Sequence, residues 1–529
     1  MDAANTGTMN GAESLVRTLL DSGVDTCFAN PGTSEMHFVA ALDRITGADG
    51  RPMRCVLGLF EGVVSGMADG YGRMAAKPAA TLLHCGPGMA NALANMHNAR
   101  RAHTPMVNIV GDHATYHREL DAPLTSDVEG AARPFSDWVR GGTDSRSIAT
   151  DGAAAVQAAL TAPGQVATLV LPANSAWEAA DGPALPLPVP ARAMPAPAAI
   201  DEAARALRAG GDKAVLLLAG PAVATEAGQR AALRIAAASG CRLIAQGSNA
   251  RFVRGRGRPQ IERVPYVIEL ALAALKDFKV AVLAGMRPPV GFFAYPGKPG
   301  RMLPAGCQTH VLARIEQDVL GGLEALAEAL GAPRAVHIPD PGPRPEVPRN
   351  AAIGPEALAQ TVAALMPEGA IITDESVSFG RGFFPRTHAA PPHDWLQITG
   401  GAIGCGLPLS AGAALAAPDR KVINLQADGS AMYTLQALWT MAREKCDVCV
   451  TILSNRKYQI LLGELANVGA NPGRIALDMM DLGQPDLDWP TIARGMGVEG
   501  ARATTIAEYA DLFASAMGRR GPFLIELVI

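Results

Sequence analysis

Short apolar runs alternate along this chain with longer stretches in which apolar side chains recur every three or four positions. That is the pattern of parallel strands joined by amphipathic helices. Ala12–Gly23 predicts a helix, Val24–Phe28 a strand, and Asn30-Pro31-Gly32-Thr33 a turn opening the next helix. The unit repeats at Arg54–Leu57, and again at Phe60-Glu61-Gly62, which leads a small-residue helix to Tyr71. It repeats once more at the strand Ala79–Leu83, which ends in His84-Cys85-Gly86-Pro87-Gly88, at a helix reaching Ala102, and at the strand Met106–Val110. Further strands are predicted at Ala214–Leu218, Leu243–Ala245, Val280–Ala284 and His310–Ala313. Two Pro-rich stretches, Gly182–Ala199 and His337–Pro348, suit neither helix nor central strand and read as linkers. The expected fold is α/β, with three doubly wound parallel-sheet domains over residues 1–181, 200–336 and 350–529.

The most informative stretch is Lys421–Leu462. Val422, Ile423 and Leu425 form a strand that stops at Ala427-Asp428-Gly429-Ser430, after which Met432, Leu435, Leu438 and Trp439 fall at helical spacing. Ser430 is the predicted N-cap. A second strand, Val448–Leu453, ends at Ser454-Asn455. Adjacent parallel strands would bring Asp428 and Asn455 to one carboxyl edge, where ligands of open α/β sheets bind. A carboxylate and an amide oxygen beside a helix N-terminus suit Mg²⁺ shared with phosphate oxygens, and so a diphosphate cofactor. A metal-free turn of the same shape is the alternative.

Glu61 stands where a strand ends and a helix begins, between Leu59, Phe60, Val63 and Val64. Such a carboxyl is suited to proton donation; a helix-start glutamate favoured by the macrodipole is the competing reading. His84 ends a strand beside a Gly-Pro-Gly turn and reads either as a proton carrier or as a hydrogen-bonded loop histidine.

Composition narrows the function. The chain has 529 residues, 49% apolar and 18% charged, which is a well-buried globular protein. A net charge of −4 gives no electrostatic case for nucleic acid or an acidic membrane. The first residues include an early acid and no apolar segment, which argues against a signal peptide. No apolar run approaches the roughly 18–20 residues that span a bilayer, so a soluble, cytoplasmic protein is expected. Of eight cysteines only Cys446 and Cys449 form a CxxC, and without a second pair nearby it predicts no zinc site.

The Asp428–Asn455 segment resembles the thiamine diphosphate (ThDP) motif, G-D-G followed by N-N, with Ala427 and Ser454 as departures that remove no ligand. FANPGTSEMHF, LFEGVVSGMADGYGR and TLLHCGPGMANALANMHNAR resemble, in order, the pyrimidine-binding domain of acetolactate synthase and benzoylformate decarboxylase. The resemblance covers nearly the whole chain and names the three domains pyrimidine-binding, central and diphosphate-binding. It implies that Glu61 protonates the cofactor aminopyrimidine and that His84 handles protons. It further implies that the Gly401 carbonyl accepts the 4′-amino group, that Ile403 wedges beneath the thiazolium, and that Asp428, Asn455 and the Lys457 carbonyl hold Mg²⁺. Asn30, Pro31, Glu375, Ser376, Ser378, Gly429, Ser430 and Tyr458 carry over as cofactor contacts. Thr33 and His113 carry over as substrate contacts, His113 with a surface histidine as the equal alternative.

The loop Arg287–Gly297 resembles one that places a second histidine in benzoylformate decarboxylase, but no histidine occurs between His117 and His310. Phe292, Phe293 and Tyr295 stand there instead, either as an aromatic substrate wall or as domain packing. The implied activity is decarboxylation of a 2-oxo acid, with carboligation to an aldehyde. An acetolactate synthase-like transferase is the alternative, and a silent binding homologue is disfavoured by the presence of Glu61, Asp428 and Asn455. FAD accompanies the transferase reading, although no G-x-G-x-x-G follows a strand in the central segment. The resemblance also implies a homodimer or homotetramer with sites between subunits.

Overall fold

The buried apolar runs form the strands of three separate sheets in a computed structural model that describes residues 8–529. The expectation about the first residues of the chain therefore lies largely outside the described part. The first sheet is six parallel strands in the order Arg54–Leu57, Thr26–Ala29, Ala79–His84, Met106–Asp112, Val166–Pro172, Trp138–Gly141. Met106–Asp112 and Val166–Pro172 are buried along their whole length, as strands covered on both faces must be. The chain winds outward from Thr26–Ala29 in one direction and then crosses to the other side. The order reverses between Thr26–Ala29 and Ala79–His84, and a crevice opens at their carboxyl ends.

The second sheet is five parallel strands, with Ala214–Leu218 at its centre. The third has six parallel strands, among them Ile371–Glu375, Val422–Ala427 and Val448–Ser454, and its order reverses between the first two. Its seventh strand, Phe252–Arg254, comes from the sequence of the middle segment and pairs antiparallel with His393–Gln397. Three residues are too few to register as a period, so this edge strand left no trace in the hydrophobic pattern. Among the described residues no helix is long and apolar enough to cross a membrane.

One capping expectation fails. The helical turn after Val422–Ala427 spans Asp428–Ala431 with Ala427 at its N-cap, and Ser430 lies inside the turn. Its hydroxyl donates to the Ala427 carbonyl, 3.1 Å away, and accepts from Gln426 Nε2 at 2.7 Å. The next regular helix starts only at Ala437.

The first and third units meet through two helices, Glu61–Ala75 and Gly406–Ala416. Glycines let their backbones touch: a Cβ on Gly70 would stand 2.1 Å from the Leu409 carbonyl oxygen, and one on Gly412 would stand 2.0 Å from that of Met67. A buried ion pair reinforces the contact. Arg73 and Asp69 are each 1% exposed, and Arg73 also donates to the Gln397 carbonyl at 2.6 Å, tying the helix to the end of a third-sheet strand. Because the obstacle is backbone, Gly70→Val should lower unfolding stability by about 3 kcal/mol. Gly463→Ala, on an open helical face, should change it by less than about 1 kcal/mol and in the stabilising direction. Thermal unfolding of the two variants checks this, and a wild-type midpoint for Gly70→Val contradicts it.

Candidate active site

The crevice of the first sheet collects Asn30, Glu61, His84 and the start of helix Cys85–Ala102. Glu61 is the first residue of its helix and only 6% exposed. Its surroundings differ from the apolar pocket expected, because both carboxyl oxygens are held by amides. Asn30 Nδ2 donates to Oε1 at 3.0 Å and Asn91 Nδ2 to Oε2 at 2.9 Å. Of the flanking apolar residues, Val63 and Val64 are fully buried in the core, Phe60 is half-buried and Leu59 is exposed. Gly88 sits between the two candidate proton carriers, its Cβ direction 3.2 Å from Glu61 Oε1 and 3.3 Å from His84 Cβ. His84 is half-buried, with Nδ1 3.1 Å from both oxygens of Glu35 and 3.2 Å from the Ser34 hydroxyl. Beside it Cys85 takes a positive φ of 50°, and burial pushes its thiol up to about 11. Asp112 and His113 approach Cys85 from the neighbouring strand, and Asp112 is paired with Arg118 at 2.7 Å. The His113 ring lies 5.9 Å from His117. Pro31 and Thr33 are exposed at the rim.

At the third sheet, Asp428 and Asn455 directly follow the carboxyl ends of neighbouring parallel strands, as the spacing required. Asp428 is 3% exposed and accepts the backbone N–H groups of Gly429 at 2.8 Å and Arg456 at 2.7 Å. It makes no ion pair among the described residues, and burial pushes its carboxyl above the usual range against those N–H groups. A buried carboxylate without a cation is costly. With the Asn455 amide oxygen alongside, it is a hard-oxygen set suited to a divalent ion. The Lys457 carbonyl accepts from Gln459 N–H at 3.0 Å, which leaves it a second lone pair. Gly429 closes the turn under Tyr458, whose ring a Cβ would meet at 2.5 Å. A cavity of about 500 Å³ opens beside Asn455, Arg456 and Lys457 and runs to Leu477 and Asp481.

Glu375 is 1% exposed and accepts from the N–H groups of Gly404, Cys405 and Gly406 at 2.7, 3.2 and 2.8 Å, and from Gln426 Nε2 at 2.7 Å. Burial raises its carboxyl and these four donors oppose the rise. Its side-chain oxygens are engaged by the N-terminus of helix Gly406–Ala416 and by Gln426, so its side chain holds the Gly400–Gly406 turn. Ser376 is buried with its hydroxyl on Asp374, whereas Ser378 is half-buried. Between them Val377 takes a φ of 49°, a strained value for a β-branched residue.

The turn is gripped from the other side by the first unit. Asn98 Oδ1 accepts from Gly400 N and Ala402 N, its Nδ2 donates to the Ala402 carbonyl at 2.7 Å, and Asn95 reaches the Gly404 carbonyl. Gly401 is exposed at φ 80° and Ile403 half-buried. The Phe292 ring lies where a Gly401 Cβ would meet it at 2.6 Å, with Phe293 and Tyr266 at 4.9 and 5.4 Å from Phe292. Among the described residues no hydrogen bond joins the Glu61 group to the Asp428 group.

Asn91, Asn95, Asn98, Gln426 and Glu35 were not singled out from the sequence. The three asparagines recur at i, i+4 and i+7, a polar face on an otherwise core-facing helix, and that spacing was a usable signal. Cys446 and Cys449 are buried with thiols pushed up to about 12, consistent with inert packing.

Comparison with known proteins agrees with this geometry. Residues 9–132 match the model "Thiamine pyrophosphate enzyme, N-terminal TPP binding domain", and residues 382–527 match "Thiamine pyrophosphate enzyme, C-terminal TPP binding domain". A Mycobacterium tuberculosis protein named "Putative acetolactate synthase large subunit IlvX" is 48% identical over 98% of this chain and 99% of its own length. The benzoylformate decarboxylase of Pseudomonas aeruginosa is 30% identical over 96% of each chain. The solved thiamine diphosphate-dependent 4-hydroxybenzoylformate decarboxylase of Rhodococcus jostii superposes with a TM-score of 0.84 at 27% identity over 98% of each chain. Two sheet edges carrying these groups, matched separately at the two ends of the chain and jointly along its length, make this protein a thiamine diphosphate-dependent enzyme of the acetolactate synthase and decarboxylase family.

Proposed function

We propose that the protein decarboxylates a 2-oxo acid with a bulky, preferably aromatic, side chain, and joins the product to an aldehyde when one is supplied. The observation that carries this reading is the aromatic wall of Phe292, set against Gly401, with Phe293 and Tyr266 packed on Phe292. Burying an aromatic substituent on such a wall contributes on the order of 1.5–3 kcal/mol, which pyruvate's methyl cannot match. When bound, ThDP supplies the carbon nucleophile for the ketone and the electron sink for loss of CO₂. The chain's own residues bind and orient. Asp428, Asn455 and the Lys457 carbonyl would hold Mg²⁺ at the diphosphate end. Gly429, Ser430, Ser378 and Tyr458 line that end, while Asn30 and Pro31 border the aminopyrimidine. The Gly401 carbonyl would accept its amino group, and Ile403 would support it from below. Glu61, fixed by Asn30 and Asn91, would hold the proton that the ring takes up. His84 exchanges protons with the substrate, near Thr33 and His113.

With this reading go a pyrimidine-binding unit over 1–181, a central unit over 200–336 that lends Phe252–Arg254 to its neighbour, and a diphosphate-binding unit over 350–529. The resemblance to the family extends this reading to a site formed between two copies, in a dimer or a dimer of dimers.

The likeness to the 48%-identical relative favours a second reading, a carboligating transferase acting on pyruvate and carrying FAD. A panel of 2-oxo acids assayed with and without an acceptor aldehyde, on protein inspected for flavin colour, separates the two. The first reading expects higher kcat/KM for aromatic 2-oxo acids than for pyruvate, with Phe292→Ala narrowing that ratio roughly tenfold. A yellow protein that prefers pyruvate and releases a 2-hydroxy ketone rejects it.

Asp428→Asn removes a buried charge. It should raise the melting temperature of the metal-free protein yet abolish the further rise on adding Mg²⁺ and ThDP. If the variant keeps the wild-type cofactor shift, Asp428 is not the ligand. Glu61→Gln should bind cofactor nearly normally and lose roughly 10²- to 10⁴-fold in kcat. Exchange of the cofactor C2 proton followed by NMR checks the cause, and wild-type exchange in the variant would exclude Glu61 as activator.

A further inference from the structure

Glu35 is fully buried in the short turn Thr33–Glu35, where an ionisable side chain needs a partner. One oxygen accepts from Gly32 N–H at 2.7 Å and the other from the Ser34 hydroxyl. Among the described residues its only potential cationic partner is His84, whose Nδ1 lies 3.1 Å from both oxygens. Two glycines make the seat. A Cβ on Gly32 would stand 2.2 Å from the His84 ring, and one on Gly111 would stand 1.8 Å from Glu35 Oε1. Any other residue at either place would push the carboxylate and the imidazole apart. His84 keeps 21% of its side chain exposed, and its Nε2 makes no protein hydrogen bond among the described residues. The ring is thus anchored on one nitrogen and free on the other.

We propose that Glu35 is the positioning residue for His84. It fixes the tautomer with the proton on Nδ1, turns Nε2 outward, and stabilises the imidazolium formed whenever Nε2 takes a proton. Nε2 can then deliver that proton to the reacting substrate and recover another from water, while the Nδ1 proton stays on the ring. The inference rests on the reading of His84 as the proton carrier.

The pair is first tested without turnover. In protein labelled with ¹⁵N-histidine, the His84 resonances are assigned by their loss in His84→Ala. The neutral ring should carry its proton on Nδ1, and Glu35→Ala should release this preference; a proton on Nε2 in the wild type overturns the proposal whether or not the variants fold. Activity on the best 2-oxo acid then tests the coupling. Glu35→Gln should lower kcat by roughly 10²-fold with KM little changed, and Glu35→Asp should recover part of the loss. The double variant Glu35→Gln/His84→Ala should be no slower than His84→Ala alone. Losses that multiply in the double variant overturn the positioning role. A fully active His84→Ala overturns instead the reading of His84 on which it rests.

Discussion

The contact between helices Glu61–Ala75 and Gly406–Ala416 is the constraint on which the rest depends. It is a backbone contact, set by Gly70 against the Leu409 carbonyl and Gly412 against that of Met67, so it has little freedom to slide. One helix begins at Glu61, and the other begins at the end of the Gly400–Gly406 turn. Locking the two together holds the first and third units of one chain in a fixed relation to each other. Glu375 below that turn and Asn98 beside it then decide where the Gly401 carbonyl points.

Four buried carboxylates divide the electrostatic work, and their neighbours tell them apart. Glu375 spends its charge on three backbone N–H groups at a helix N-terminus, where the dipole favours it, and so is structural. Glu61 is held by two neutral amides, which orient it without supplying a counter-charge. Glu35 has an imidazole. Asp428 has backbone donors and no cation, so it is the one whose charge a metal ion would balance. The three left-handed residues that follow strand ends, Cys85, Val377 and Arg456, lie beside these groups. Strain of this kind collects where a backbone is held for function.

Trp138–Gly141, Val166–Pro172, His393–Gln397, Glu499–Ala503 and Phe523–Val528 were not singled out from the sequence. The strands from Thr26–Ala29 to Met106–Asp112, the central strands and the pair Val422–Ala427 and Val448–Ser454 were legible, because continuous apolar runs and helical periods are long-range signals that a single sequence carries. Asp428 and Asn455 followed from them, since adjacent parallel strands must end at the same edge. The role of the Glu375 side chain was not legible, because the end of a strand looks the same in sequence whether its oxygens face a ligand or curl back onto Gly404, Cys405 and Gly406. Ser430 was misassigned as a cap for a related reason: Gln426, four residues earlier, claims its hydroxyl. The partnership of Glu35 with His84 joins residues that no periodicity relates, and the strand Phe252–Arg254 is too short to have one. Tertiary partners decided each of these cases.

On the proposed reading, Glu61 of one chain serves the Asp428 edge of another, and complementation measures that directly. Glu61→Gln and Asp428→Ala chains, each inactive alone, are co-expressed and the mixed dimers assayed for 2-oxo acid decarboxylation. A site shared between chains predicts that the hybrid regains one intact centre, giving about a quarter of wild-type activity at random pairing. A site contained within a single chain predicts no recovery, and hybrids that stay inactive while cofactor and substrate are saturating would contradict the account.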